Sequence, residues 1–178
     1  NIKGLRTLIS IPNIKQISKK RLNIKNIRAH KSEVFKTLMT NIQFVNSNNL
    51  KSKSILITSP KSFEGKTYVA NNLAIEFAMA GKKVILIDGD MRRGRVAKIF
   101  NLPNDLGFSN YLSNLDANGN NINERINSFI NDTEIKNLNV ITSGNNPPNP
   151  TELLQAIKVY QSIKDLKEIY DVIIFDSV

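Results

Sequence analysis

The sequence predicts an α/β domain, doubly wound around a mostly parallel sheet, and three observations carry that expectation. Four short β-branched runs are apolar throughout, helical patterns separate them, and a Gly-Lys-Thr turn joins the first run to the first helical pattern. The runs are Ser54-Ile55-Leu56-Ile57-Thr58, Val84-Ile85-Leu86-Ile87-Asp88, Val140-Ile141-Thr142 and Val172-Ile173-Ile174-Phe175-Asp176. Their apolar residues do not alternate with polar ones, which is the pattern of parallel strands covered on both faces. Strands alternating with helices then argue for helices packed on either side of one sheet.

Three helices are expected, two between the runs and one ahead of the first. Val69, Leu73 and Phe77, with Ala70, Ala74 and Ala78 beside them, recur every fourth residue and form one apolar stripe, which Gly81 terminates. A second helix opens at Asn149-Pro150-Thr151-Glu152, where Asn can cap, Pro suits the first turn and Glu152 can complete a capping box. Its stripe runs through Leu153, Ile157, Tyr160 and Ile163. Residues 32–44 are the third candidate, with Val34, Leu38 and Ile42 spaced by four. Residues 115–123, rich in Asn and Gly, read as a surface loop between weaker helical pieces.

A length of 178 residues fits one domain able to bury a continuous core without staples. With no cysteine, disulfides and thiolate metal sites are excluded, and the lone His30 can build neither a zinc site nor a Ser-His-Asp triad. No apolar run is long enough to span a bilayer. The chain begins at Asn1 without a charged-then-apolar leader, so no secretion signal is expected and the front end reads as that of a fragment.

The net charge of +10 is concentrated at the front. Residues 1–36 hold ten Lys or Arg and one acid, Glu33, leaving the remainder close to neutral. Residues 1–31 therefore read as a basic arm or linker, suited to anionic lipid or an acidic tail, or simply solvated. No nucleic acid is expected as partner, because the charges are interleaved with Ile and Leu and no aromatic residue precedes Phe35.

The chemistry lies in Thr58-Ser59-Pro60-Lys61-Ser62-Phe63-Glu64-Gly65-Lys66-Thr67, between the first strand and the first amphipathic helix. A phosphate-binding loop belongs at that junction. Backbone N–H groups from the loop and helix start face phosphate oxygens, Lys66 reaches the β and γ phosphates, and Thr67 can ligate Mg²⁺ through its hydroxyl. Glu64, Gly65, Lys66, Thr67 and Tyr68 form the candidate nucleotide segment. The second strand ends in Asp88-Gly89-Asp90, at the sheet edge where ligands of open α/β folds bind. One of these acids can hold the Mg²⁺ shell while the other accepts a proton from an attacking hydroxyl, although turn chemistry alone also favours Asp-x-Asp. The last strand delivers Asp176, placed as a Walker B carboxylate that grips Mg²⁺. Lys66, Asp88 and Asp90 are thus the candidate catalytic residues, and Thr67, Asp88 and Asp176 the candidate metal residues, in a P-loop NTPase-like domain over residues 32–178 that reads as cut short after its Walker B strand.

Three segments sharpen the assignment: Val84 to Arg93, then Ile99-Phe100-Asn101-Leu102-Pro103-Asn104-Asp105-Leu106-Gly107, then Thr142-Ser143-Gly144 leading into Pro147-Pro148-Asn149-Pro150-Thr151-Glu152-Leu153-Leu154. Together with the loop they resemble the bacterial tyrosine kinases that regulate capsular and exopolysaccharide biosynthesis. The resemblance implies transfer of the γ-phosphoryl of ATP to tyrosine hydroxyls, largely on neighbouring copies, with Mg²⁺ as cofactor. It implies Lys66 and Thr67 as the Walker A pair, Asp88 and Asp90 as the second acidic motif and Asp176 as Walker B. It also implies a transmembrane activator or adaptor, fused or separate, at the cytoplasmic face of the membrane, and tyrosine-containing protein substrates.

Four positions depart from that family's pattern. Ser62-Phe63 stands where Pro-Gly is usual, and Glu33-x-x-Lys36-x-x-Met39 stands where a Glu-x-x-Arg-x-x-Arg self-association motif is usual, so self-association is weakened. Gly94 replaces a proline, and the tyrosines are the scattered Tyr68, Tyr111, Tyr160 and Tyr170 instead of a C-terminal cluster. Two other functions stay open at this point: a catalytically weak ATP-binding scaffold of the same family, and a positioning or partitioning ATPase on a membrane or DNA surface.

Overall fold

A computed structural model describes Ile9, Ile11 and residues 32–45, 52–61, 63–116, 118–121, 124–155 and 157–177. The basic arm apart from those two isoleucines, His30 and Ser62 lie outside the described residues. In chain order the elements are α1 (Ser32–Val45), β1 (Lys53–Ile57), α2 (Lys66–Met79), β2 (Val84–Asp88), α3 (Arg95–Phe100) and α4 (Phe108–Ser113). There follow a 3-10 turn (Ile126–Phe129), β3 (Asn131–Asp132), β4 (Leu138–Ile141), α5 (Pro150–Leu154), α6 (Ile157–Leu166) and β5 (Val172–Asp176).

The five strands form one sheet in the order β1-β5-β2-β4-β3. All neighbours are parallel except β3, a two-residue strand antiparallel to β4. The last strand in sequence thus lies between the first two. Successive residues of β2 and β5 feed opposite cores: Val84, Leu86, Val172 and Ile174 join one cluster, Ile85, Ile87, Ile173 and Phe175 the other. The first cluster lies under α1, α2 and α3, the second under α4, the 3-10 turn and α6. Unbroken apolar runs are therefore required in these two strands, since each side chain, odd or even, is removed from water and stabilises by about 1.5–3 kcal/mol.

Three expectations need correction. The first run looks like the others, yet β1 is the sheet's edge: Ile55 and Ile57 pack partly on the first cluster, while Ser54 and Leu56 are exposed, Leu56 by 63%. The helix between the first two strands has no single stripe. From Ala70 to Ala78 every residue of α2 is buried, because the sheet covers one side and α1 the other. The stripe proposed through Leu153, Ile157, Tyr160 and Ile163 is broken, because the segment is two helices, α5 ending at Gln155. Leu153 and Ile163 pack on the second cluster with Val159, but Ile157 and Tyr160 face outward. The cap there also differs, Asn149 Nδ2 donating to the Glu152 side chain at 2.8 Å with no side-chain bond to the backbone.

Local signals explain where α2 stops. Gly81 (φ +83) carries the chain out while Gly81 N–H donates to Ala78 O at 3.0 Å and Lys82 N–H to Phe77 O at 3.1 Å, the paired bonds of a Schellman ending. On α1, Phe35 is the deepest anchor, meeting Tyr68 edge-on at 5.6 Å. The Glu33, Lys36, Met39 series divides in this setting. Glu33 and Lys36 are exposed, whereas Met39 packs on the core. Ile9 and Ile11 are partly buried against the same cluster, so two apolar residues from the basic segment reach the domain.

Candidate nucleotide-binding site

Register brings the three acids of interest toward one point. Asp176 ends β5, with Ile57 of β1 as its partner on one side and Asp88 of β2 on the other. The phosphate loop, which leaves β1 at Thr58, therefore starts beside Asp176 and re-enters helix at Lys66. Gly65, at φ +93, makes the turn into α2, and its carbonyl accepts the Val69 N–H at 2.9 Å. The Lys66 ammonium donates to Ser59 Oγ at 3.0 Å and to the Lys61 carbonyl at 3.2 Å, which folds it across the loop. Glu64 accepts the Lys61 N–H at 3.2 Å and so helps close that loop. The Tyr68 ring turns to Phe35, leaving the backbone as its contribution to a phosphate site.

The second acidic loop is pinned to β5 by Gly89, whose N–H donates to Asp176 O at 2.8 Å. A Cβ there would lie 2.8 Å from that same oxygen and overlap the Phe175 ring, so only glycine allows this approach. Asp88 is fully buried, and both its oxygens are engaged, Oδ1 by Asp90 N–H at 3.0 Å and Oδ2 by Val96 N–H at 3.2 Å. It thereby ties its own loop to the first turn of α3. Asp90 Oδ1 and both Asp176 oxygens, in contrast, are buried without a hydrogen-bond partner. The Thr67 hydroxyl lies near enough to lower the Asp176 pKa, but from beyond bonding geometry.

Burial pushes the Asp176 carboxyl up to about 6, the Asp90 charge adding to the effect while Thr67, Lys66 and Arg95 oppose it. Burial likewise pushes Asp88 up to about 7, with Asp176 contributing and the N–H groups of Val96 and Asp90 opposing. Buried carboxylate oxygens without donors are costly. The two on Asp176, with the Thr67 hydroxyl near them, make a hard-oxygen donor set that fits Mg²⁺, which is ordinarily held by one or two carboxylates plus phosphate oxygens and water. Among the described residues no group of three or more His, Cys, Asp or Glu is arranged around a metal position.

Two features of this site were not legible in the residues alone. Phe63 adopts φ +68, a left-handed conformation that costs a side-chain-bearing residue about 1–2 kcal/mol. Its ring, 76% exposed, lies under two guanidiniums, Arg93 at 4.2 Å and Arg95 at 5.3 Å from the centroid. Exposed cation–π contacts are worth about 0.5–1 kcal/mol each, so the stack offsets most of the strain. The departure at 63 had been visible, but its pairing with a loop some thirty residues away had no sequence signal. Gly94, between the two arginines, has φ +52, which proline cannot adopt, so this turn differs from one built on proline.

The second feature is a polar bracket that joins two of the segments singled out above. Asn104 exchanges bonds with the Gly144 backbone (Nδ2 to O 3.0 Å, N–H to Oδ1 3.1 Å), and Ser143 Oγ donates to Asn104 Oδ1 at 3.2 Å. Phe108 and Ser109 N–H groups donate to Thr142 and Ser143 carbonyls at 2.8 and 2.9 Å. The bracket fixes the turn after β4 against the start of α4, behind Gly94 and the acidic loop.

A parallel sheet with a phosphate loop after β1 and carboxylates ending β5 and β2, the next two strands across the sheet, defines a P-loop ATPase-type domain. Residues 52–178 match the family model described as an AAA domain, and the chain belongs to that family. It is 41% identical to CapB of Staphylococcus aureus over 82% of this chain and 60% of that protein. The kinase domain of Escherichia coli tyrosine kinase ETK superposes with a TM-score of 0.72 at 31% identity, covering 82% of this chain and 54% of that one. Other curated relatives at 32–38% identity, from Bacillus subtilis, Streptococcus agalactiae and Escherichia coli, bear the name tyrosine-protein kinase. A MinD septum site-determining protein from Pyrococcus horikoshii, complexed with Mg-ADP, shares the fold at 24% identity and a TM-score of 0.58, over 70% of this chain and 48% of that one. The chain spans about 60% of the length of the first curated relatives it matches. Among the described residues no helix is long and apolar enough to cross a membrane.

Proposed function

We propose that the chain is the nucleotide-binding part of an ATP-dependent protein-tyrosine kinase that regulates capsular or exopolysaccharide biosynthesis. The observation that carries this reading is the set of orphaned carboxylate oxygens on Asp90 and Asp176 facing a Lys66–Thr67 phosphate loop, in a chain whose relatives are tyrosine kinases. Thr67 and Asp176 would hold Mg²⁺, which when bound neutralises charge on the transferring phosphoryl group. Lys66 moves from its loop acceptors onto the β and γ phosphates, and backbone N–H groups from Glu64 to Tyr68 cradle them. Asp90, whose Oδ1 has no donor, is the candidate acceptor of the tyrosine proton. Asp88 contributes differently: both its oxygens are taken up in shaping the loop that presents Asp90.

Partners follow from the same reading. A transmembrane activator at the cytoplasmic face and tyrosine-bearing protein substrates are proposed, with self-association weakened where Met39 turns inward. Among the four tyrosines, Tyr111 and Tyr170 are buried and Tyr160 is 68% exposed.

Incubation with labelled ATP and Mg²⁺, with and without an activating adaptor tail, tests the reading. Phosphotyrosine should form and should vanish in Lys66→Met, whose nucleotide affinity drops roughly tenfold or more through loss of one charge-assisted contact. Undiminished signal in that variant would exclude the proposed role of Lys66. Weak nucleotide binding without transfer, restored by Phe63→Gly, favours a catalytically weak scaffold, and steady hydrolysis stimulated by lipid or DNA favours a positioning ATPase.

A further inference from the structure

The roles proposed for Lys66, Thr67, Asp90 and Asp176 leave Phe63, Arg93 and Arg95 without work. Their arrangement is nonetheless built from both loops of the site. The phosphate loop supplies the ring, and the acidic loop and the first residue of α3 supply the two guanidiniums. The arginine backbones are fixed, because Arg93 and Gly94 N–H groups donate to Asp90 O at 3.1 and 3.0 Å and Val96 N–H, next to Arg95, is held by Asp88. The side chains are long and would sample many rotamers in water. The Phe63 ring is the contact that the two guanidiniums share. The Arg95 charge also reaches Asp176, which places it at the metal end of the site.

Glycine would occupy φ +68 without strain, so the ring is retained at a cost that its contacts must offset. What the ring provides is a pair of oriented guanidiniums above a phosphate loop, and guanidinium is the side-chain group best matched to phosphate oxygens. We propose that Phe63 is a positioning residue, holding Arg93 and Arg95 as donors for the terminal phosphate of a bound nucleoside triphosphate. This rests on nucleotide binding at the site and is independent of whether a tyrosine accepts the phosphoryl group.

Calorimetric titration with a non-hydrolysable Mg-ATP analogue and with Mg-ADP separates this role from a structural one. Phe63→Gly should weaken the triphosphate about tenfold, as loss of charge-assisted contacts does, and leave the diphosphate within about twofold. Phe63→Trp, which keeps a π face, should retain the preference, and Phe63→Leu should lose it. In a double-mutant cycle, adding Phe63→Gly to Arg93→Gln should cost little beyond Arg93→Gln alone. The chain has no tryptophan, so Phe63→Trp emission also reports the stack before any ligand is added, and Arg93→Gln should shift it.

Tighter triphosphate binding by Phe63→Gly overturns the proposal, because the ring would then be an obstruction. Equal losses for both nucleotides, or fully additive variants, overturn it in favour of general loop support. If the unaltered chain binds no nucleotide, this inference and the proposed function fall together. A triphosphate preference that depends on Phe63 without any phosphotyrosine would remove the kinase reading and leave this one standing.

Discussion

Asp176→Asn is expected to make the metal-free chain more stable and to abolish its Mg²⁺-dependent nucleotide binding. Both effects come from one carboxylate whose two oxygens are buried without donors. Removing that charge relieves a desolvation penalty of several kcal/mol that Thr67, Lys66 and Arg95 only partly offset. The gain depends on pH, with a definite sign. A carboxyl raised to about 6 in the folded chain holds its proton more firmly there than in the unfolded chain, so its contribution is full below about pH 4 and lost as pH rises through 6. Asp88, raised to about 7, acts in the same direction over an overlapping window. The unaltered chain in EDTA should therefore melt at progressively lower temperature from pH 5 to pH 8. Asp176→Asn should flatten part of that slope and gain about 1–3 kcal/mol at pH 8, roughly 3–10 °C, and about half of that at pH 5. Binding should move the opposite way. With Thr67 left as the nearest metal donor, affinity for Mg-ATP should fall about a thousandfold, the worth of a fully desolvated charge contact of about 4 kcal/mol. Equal melting of the two proteins at both pH values would show that Asp176 carries no stored desolvation cost. A site that is destabilising until its ligand arrives is the usual signature of function taking precedence over stability.

The legibility of this molecule divides along the line between local and tertiary causes. β2 and β5 were readable because burial on both faces forces an unbroken apolar run, and Lys66, Thr67 and Asp176 because strand ends and a helix start fix them within a few residues. β1 has the same kind of run but lies at the sheet edge. A run reports what a strand can bury, while its place in the order β1-β5-β2-β4-β3 decides what is covered. The same limit applies to α5 and α6. Leu153, Ile157, Tyr160 and Ile163 keep helical spacing on paper, but a break at Gln155 resets the phase and turns two of them to solvent. In the site, the sequence could pair Asp88 with Asp90 but could not divide their labour. That division depends on the Val96 N–H, eight residues along, reaching back to Asp88. The Phe63 stack joins two loops whose only relation is that β1 and β2 end at the same edge of one sheet, with β5 between them.

Gly107→Ala should be severely destabilising for a single added methyl, costing about 3 kcal/mol or more and lowering the melting temperature by about 9 °C or more. Backbone strain is not the cause, since Gly107 is extended at φ −164. The cause is room: a Cβ would overlap Gly144 N and the Thr142 carbonyl, which are main-chain atoms without rotamers to adjust. Those same atoms belong to the bracket in which Phe108 N–H donates to Thr142 O and Asn110 Oδ1 accepts Gly107 N–H at 3.0 Å. Forcing them apart would break several buried hydrogen bonds together, each leaving a polar group without water. The damage should propagate in one direction. Gly94 rests against Ser143 and Asn104, a Cβ there falling 2.8 Å from Ser143 Oγ, so a displaced bracket would loosen the turn that carries Arg93 and Arg95. Urea unfolding should show the loss of stability with an unchanged slope, and the part that remains folded should discriminate poorly between tri- and diphosphate. Gly119→Ala, where a Cβ meets nothing within 4 Å but φ is +82, separates the two kinds of glycine requirement. It should cost only about 1–2 kcal/mol from strain and leave nucleotide binding unchanged. If Gly107→Ala proved no worse than Gly119→Ala, the close docking of the two loop segments would not be what holds this end of the site.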